Sequence, residues 1–327
     1  MTPDAKILSA LRAQPDGVSG AQLAGELAIS RTAVWARIEE LRRVGFDIAA
    51  GPHFGYRLVG EPDALLADDL LSRLGTTHVV GRDIQVFEQT TSTNDVVERL
   101  ARDGVREGAV VFAESQTKGR GRLGRKWMSP ARKGLWFSVL LRPRFSPQET
   151  TQLTVISATA LRRAIKNVTG LEAEIKWPND LLIGGRKIAG ILTEMSAELD
   201  RVRHVILGIG MDVNQDAADF PPELHRLATS LKMAGGAAVS RAELAVAVLR
   251  ELDQDYARIG AGQFAQIADE WEAACITMGR NVAVHVGDRR FRGRAESLDE
   301  AGALLVRTEF GHLERVISGD VTLEKST

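Results

Sequence analysis

The sequence predicts a mixed α/β (α+β) protein in three parts: a helical N-terminal segment ending in a hairpin, a central mixed sheet with helices against it, and a small all-β C-terminal part. Three observations predict it. Apolar residues recur at helical spacing early in the chain, with Val34, Ile38 and Leu41 on one face of a helix from Arg31 to about Val44. From about residue 65 to 275, strand-length apolar runs alternate with helical patterns. Beyond Met278 only short strands with glycines between them follow. At 327 residues and 44% hydrophobic content, the chain has room for two or three domains.

The N-terminal elements read in order. Leu23 and Leu27 repeat at helical spacing, Ala28-Ile29-Ser30 makes a turn, and Ser30 caps the helix that begins at Arg31. Thr32, Ala36 and Arg43 lie opposite the apolar face of that helix. Phe46 to Ala50 and Tyr56 to Val59 flank Gly51-Pro52-His53-Phe54-Gly55 as a hairpin wing. Such a helix-turn-helix with a wing suits either DNA or a docking protein. Seven Lys or Arg against six Asp or Glu over residues 1–60 give only +1, a weak balance for phosphate contacts. Arg31, Arg37, Arg42 and Arg43 offset it by clustering on one helix.

Val59-Gly60-Glu61-Pro62-Asp63 reads as a linker, after which Asp68 to Leu74 opens the helical material of the central part. There Leu153 to Val168 and Arg241 to Ile259 have helical periodicity. Ala109 to Ala113, Leu135 to Leu141, Ile188 to Met195 and Val202 to Leu207 read as strands. The last part holds Val282 to Val286, Arg290 to Ser297, Leu304 to Arg307 and Val321 to Glu324, a pattern for a small β-barrel. The domains expected are therefore 1–60, 65–275 and 278–327.

Charge is concentrated in one place. The whole chain balances at -1, yet Ser115 to Gln148 carries nine Lys or Arg and no acid, four of them in Gly119-Arg120-Gly121-Arg122-Leu123-Gly124-Arg125-Lys126-Trp127. A basic loop in a neutral protein is most often solvated surface. Its glycines imitate a dinucleotide fingerprint, but no helix opens there and no acid precedes Glu149. They also imitate a P-loop, but no hydroxyl stands where magnesium would need one. A strand, basic loop, strand arrangement fits better. Two further segments stand out. Lys176-Trp177-Pro178-Asn179-Asp180 precedes a strand pair, Leu181 to Ile183 and Lys187 to Met195, turned through Gly184-Gly185. Thr91-Ser92-Thr93-Asn94-Asp95 has Ser92 as an N-cap and Asp95 in capping-box position.

In order and spacing these residues resemble the biotin protein ligases. Gly119 to Trp127 matches the family's GRGRxGRKW loop, Lys176 to Asp180 its KWPND motif and Ser92-Thr93-Asn94 its STN segment. Gln116, the Arg186 to Leu192 strand, a Gly208-Ile209-Gly210 turn and Ala228-Thr229-Ser230-Leu231 add to the match, which spans essentially the whole chain. The resemblance implies a central domain related to class II aminoacyl-tRNA synthetases and lipoate ligases, an SH3-like C-terminal β-barrel, and the winged helix-turn-helix of the bifunctional members, which also repress their biotin operon.

The resemblance also implies the chemistry. Biotin and ATP, with Mg2+ as its counter-ion, would give biotinyl-5'-AMP, and biotin would then pass to a lysine of the biotin carboxyl carrier protein of acetyl-CoA carboxylase. Bringing these anions together needs fixed cations. It assigns Lys187, Arg120 and Asp180 to catalysis, Asp180 as the group that orients or accepts the amine's proton. Ser92, Thr93, Asn94, Gln116, Arg120, Gly121, Arg122, Lys187 and Gly190 would bind biotin. Gly119, Arg122, Gly124, Arg125, Lys126, Lys176 and Asn179 would hold the adenylate, the loop closing to exclude water. Ser30, Arg31, Thr32, Trp35 and Arg37 would meet operator DNA, in a homodimer promoted by the adenylate. One departure stands at Asp212, where many members carry Asn; a carboxylate there would repel phosphate or help hold magnesium.

Simpler roles exist for the same residues. Lys187 suits the guard of an edge strand, Ser92 a plain helix cap, Asp180 a turn residue, and Trp127 and Trp177 packing. Cys275, the only cysteine, excludes an internal disulfide or thiolate cluster and reads as a buried thiol. The six histidines form no ligand pair, and no apolar run approaches the roughly 18 residues of a membrane span, so a cytoplasmic protein is expected. A ligand-sensing transcription factor and a lipoate ligase are the alternative functions.

Overall fold

The computed structural model describes residues 1–198 and 201–323. It divides into two compact units, Met1–Thr76 with Ser240–Val246, and Thr77–Val239 with Ala247 onward.

The first unit contains α1 (Pro3–Ala13), α2 (Gly20–Leu27), α3 (Arg31–Arg43), β1 (Asp47–Gly51), β2 (Gly55–Gly60) and α4 (Ala67–Leu74). Three hydroxyls start its first three helices: Thr2, Ser19 and Ser30 each accept the amide of the residue three further on, at 3.0–3.1 Å. Ile7, Leu8, Leu11, Leu23, Val34, Ile38 and Leu41 close into one core. β1 and β2 pair as the expected antiparallel wing, joined back to the helices by mutual 2.8 Å hydrogen bonds between Val18 and Tyr56. α4, expected to open the central part, is instead tied to α1, Arg12 pairing with Asp69 and Glu61 and Arg73 with the same two acids.

The arginine cluster of α3 is largely neutralised. Arg42 pairs with Glu39 at 2.6 Å, Arg43 with Glu40 at 2.5 Å and Arg37 with Asp4 at 3.5 Å. The i, i+3 spacing of the helix brings each of the first two acids to its arginine. Linear clustering overstated the charge offered to a partner.

The second unit contains β3 (Asp83–Thr90), α5 (Thr93–Arg102), β4 (Ala109–Gln116), β5 (Gly134–Leu141), α6 (Thr151–Thr169), β6 (Glu174–Lys176), β7 (Asp180–Ile183), β8 (Arg186–Glu198), β9 (Arg201–Asp212), α7 (Leu231–Gly235), α8 (Arg241–Gly260) from Ala247 on, its first turns being counted with the first unit, and α9 (Phe264–Ala274). Its seven strands run in the order β3-β4-β5-β9-β8-β7-β6, antiparallel except for β3 and β4, which α5 joins as a parallel crossover. β5 is buried along its whole length, as its unbroken apolar run requires. Gly184 and Gly185, both with positive φ, turn β7 into β8. Lys187 therefore stands on an interior strand, and the edge-guard reading falls.

β10 (Asn281–Val286), β11 (Arg289–Leu298), β12 (Leu304–Thr308), β13 (Leu313–Val316) and β14 (Asp320–Leu323) follow. They form an antiparallel sheet ordered β13-β12-β11-β10-β14 around Val282, Val284, Ala295, Leu304 and Val306. The expected barrel is a five-stranded sheet in which no ladder joins β13 to β14 among the described residues. Glu324, expected to end its last strand, lies outside them. No helix among the described residues is long and apolar enough to cross a membrane.

Candidate active site

Three glycines make the floor. Gly190 of β8 and Gly210 of β9 sit opposite each other in the ladder, and Gly208 lies two residues back on the same face. A Cβ at Gly210 would come 2.5 Å from the Trp127 indole, one at Gly190 would come 3.0 Å from the same ring, and one at Gly208 would strike the Asn94 amide. Gly208-Ile209-Gly210 is thus part of a strand, not the turn expected. Its glycines serve close approach of side chains from above.

Over that floor lies a cavity of about 340 Å3. At one end the start of α5 delivers Ser92, Thr93 and Asn94, all buried. Ser92 holds the N-cap position of α5 but makes no side-chain cap, and Asp95 closes no capping box. Asp95 turns instead to Thr91 and Arg120. Gln116, at the end of β4, accepts the Thr93 amide at 2.8 Å and donates to Ser129 at 3.0 Å. Asn94 donates to Glu194 at 2.8 Å, and its Oδ1 lies 2.5 Å from the Ser138 hydroxyl.

The basic loop crosses the cavity from the end of β4. Gly119 and Trp127 close its base through a 2.9 Å backbone hydrogen bond, and Gly124, with positive φ, turns its tip. Its cations are not equivalent. Arg120 grips Glu194 with two parallel hydrogen bonds of 2.8–2.9 Å and Asp95 at 2.6 Å, which raises its pKa. Arg125 pairs with Asp320 at 2.7 Å. Arg122 reaches only neutral acceptors, Asn179 Oδ1 and the Gly319 carbonyl, both at 3.1 Å. Burial pushes its guanidinium pKa down. A desolvated cation without a carboxylate in contact is poised for an incoming anion.

Lys187 Nζ stands 2.6 Å from Asp180 Oδ1 and 5.1 Å from the centre of the Trp127 ring. Its backbone is held by Leu227 and Thr229 at 2.8 and 2.9 Å. Asp212 is buried nearby, accepting from Gln215 at 2.5 Å. Burial pushes its carboxyl well above the usual aspartate range, and Lys187 only partly opposes this.

Of the residues expected to serve biotin, adenylate or catalysis, all but Gly119 and Gly124 line this one cavity; those two shape the loop. The residues expected to meet DNA belong to the other unit, where Ser30 caps α3, Arg31, Thr32 and Arg37 are exposed, and Trp35 is 55% exposed. Sequence reasoning missed Glu194, Ser138 and Trp127 as parts of the site. An acid four residues after Gly190, on the same face of the strand and following the apolar Ile191-Leu192, was the available signal for Glu194.

Residues 86–212 match the model of the biotin/lipoate A/B protein ligase family, residues 4–57 that of an HTH domain, and residues 277–323 that of the biotin protein ligase C-terminal domain. The chain is 40% identical over 94% of both lengths to the bifunctional ligase/repressor BirA of Bacillus subtilis (strain 168). It is 28% identical to that of Escherichia coli (strain K12), over 98% of this chain and 97% of the other. The biotin protein ligase from Aquifex aeolicus in complex with biotin and ATP superposes with a TM-score of 0.64 and 31% identity, covering 75% of this chain and 100% of that one. Site, fold and likeness along nearly the whole length agree, and the chain belongs to the biotin protein ligase family, in its bifunctional ligase/repressor form.

Proposed function

We propose that the protein joins the carboxylate of biotin to the α-phosphate of ATP, releasing pyrophosphate, and then passes biotin from biotinyl-5'-AMP to a lysine amine of a carrier protein, releasing AMP. Arg122, desolvated and without a carboxylate in contact, is the observation that carries this reading. It sits in one cavity with Lys187, Lys176 and Lys126, so four cations surround the place where carboxylate and phosphates must meet.

Ser92, Thr93 and Gln116 offer hydroxyl and amide groups to the uncharged ureido head. Lys187 and Arg122 take the carboxylate and phosphate oxygens, and Gly190 and Gly121 let the ligand approach the backbone. Asn179 steadies Arg122, and the loop with Arg125 and Lys126 covers the adenylate against water. Asp180 holds Lys187 in the resting site and is the base nearest to hand for the attacking amine. Among the described residues no cluster of three acids, histidines or cysteines forms a metal cage. Magnesium arriving with ATP would draw most of its ligands from phosphate and water, and Asp180, Asp212 and Asp320 are the carboxylates on the cavity wall that would be within reach to hold it.

The N-terminal unit, with Ser30, Arg31, Thr32, Trp35 and Arg37 at the start of α3, reads operator DNA in the cytoplasm. Adenylate promotes a homodimer because two wings at fixed separation suit a two-fold site. The functional divisions are the N-terminal unit for DNA, the seven-stranded sheet with its helices within 77–275 for ligation and 278–327 for the C-terminal domain. The carrier is the biotin carboxyl carrier protein of acetyl-CoA carboxylase.

Incubation with ATP, biotin and that carrier should give a biotinylated lysine. Product with lipoate alone would replace this reading by a lipoate ligase, and no acylation at all by a ligand sensor.

A further inference from the structure

Asn94 is almost wholly buried, and both of its polar atoms are used inside the protein. It sits above Gly208 of β9, between Ser138 on one flanking strand and Glu194 on the other. Glu194 is acceptor-only when ionised, so it takes the NH2 of Asn94 and leaves Oδ1 for Ser138. The Ser138 hydroxyl, 2.5 Å from that Oδ1 and 2.7 Å from Thr93 Oγ1, has one proton. Given to Oδ1, which cannot return one, it makes the Thr93 hydroxyl the donor of the 2.7 Å bond, in preference to its longer 3.3 Å contact with Gln116 Oε1. Thr93 Oγ1, on the cavity wall, then presents its lone pairs to a ligand.

We propose that Glu194 is a positioning residue of the ligand site. It acts through Asn94 and Ser138 to fix Thr93 as an acceptor for an N–H of the ureido head, and it holds the base of the basic loop through Arg120. The proposal rests on the biotin reading above. The same carboxylate anchors both halves of the site, since Arg120 spends its guanidinium on Glu194 and Asp95. Arg120 and Asn94 therefore act by position, whereas Ser92 Oγ, which has no hydrogen bond among the described residues, is left for the ligand.

Glu194→Gln tests this, because an amide can turn either way and no longer dictates the direction of the chain. KM for biotin is expected to rise about tenfold, whereas Asp95 and the remaining amide oxygen keep Arg120 and the loop in place, so KM for ATP and the rate at saturating biotin stay within about twofold of wild type. Ser138→Ala, which removes the middle proton but keeps the carboxylate, should show the same split. The exchange Asn94→Asp with Glu194→Gln, which keeps the charge and an acceptor beside Ser138, should recover most of the loss. An unchanged biotin KM in both single variants would overturn the proposal, and so would equal losses for biotin and ATP, which would mark a merely structural carboxylate. A wild-type protein that makes no biotinyl-adenylate would defeat the functional reading itself, whereas active wild type with indifferent variants would defeat only this inference.

Discussion

Asp212 places a carboxylate where burial penalises charge most, at the end of β9 beside Lys187. Its folded pKa lies above the ordinary aspartate value of 3.8. Between those two values the folded protein keeps a proton that the unfolded chain has released, so stability falls as pH rises through that window. Asp212→Asn abolishes the titration. Its unfolding midpoint is expected to exceed that of wild type at pH 7, and the two curves should converge below pH 3.8. Calorimetry across pH 3 to 8, on the order of ten points, checks this; parallel curves would show that the carboxylate is not desolvated. Arg122 yields a second prediction. Arg122→Ala removes the cation without a carboxylate in contact and is expected to lower biotinyl-adenylate formation about 100-fold, measured by pyrophosphate release. Arg122 was legible in the sequence as a member of a motif and Asp212 as a departure from one. What separates Arg122 from Arg120 was not, because the acids that neutralise Arg120 come from α5 and β8, 25 and 74 residues away along the chain.

At the scale of elements, the basic loop could be read as lying between two strands because glycines and an acid-free run mark it. The strand beneath it was misread. Gly208 and Gly210 look like turn residues in sequence, but β9 continues through them, since the ladder to β5 and β8 is complete there and the missing side chains make room for Asn94 and Trp127. Gly210→Ala is a sharp test of that reason. The added methyl would meet the indole of Trp127, so the loop must lift while the β9 backbone, with ordinary strand geometry, tolerates alanine. KM for ATP is expected to rise at least about tenfold with little change in unfolding midpoint. Helix starts fared unevenly for a related reason. Ser30 caps α3 as its sequence suggests, and Ser30→Ala should cost about 1 kcal/mol of the N-terminal unit's stability by urea titration. Ser92 occupies the same kind of position without capping, because the Asp95 amide that its hydroxyl would take donates at 3.1 Å to the Ser92 backbone carbonyl instead.

At the scale of the whole molecule, hydrophobic periodicity marked the three parts. Several elements went unread, β3, β6, α7 and α9 among them, as did α1, whose apolar residues are diluted by small ones, and β13, which spans only four residues. Charge was the harder quantity, because a count over residues 1–60 cannot show which cations are already paired. In α3 three of the four arginines are, so few remain to displace counterions from DNA. The salt dependence of operator binding should therefore be shallow, and it should respond to the acids as much as to the arginines. Glu40→Gln releases Arg43, an exposed residue near the end of α3. If that arginine then reaches a phosphate, the slope of log affinity against log salt steepens by about one for each copy bound, and affinity at low salt rises without any change in sequence preference. Fluorescence anisotropy with operator and scrambled duplexes from about 50 to 200 mM salt measures both terms. An unchanged slope would place the end of α3 away from the duplex and leave contact with DNA to the residues around Arg31 and to the wing.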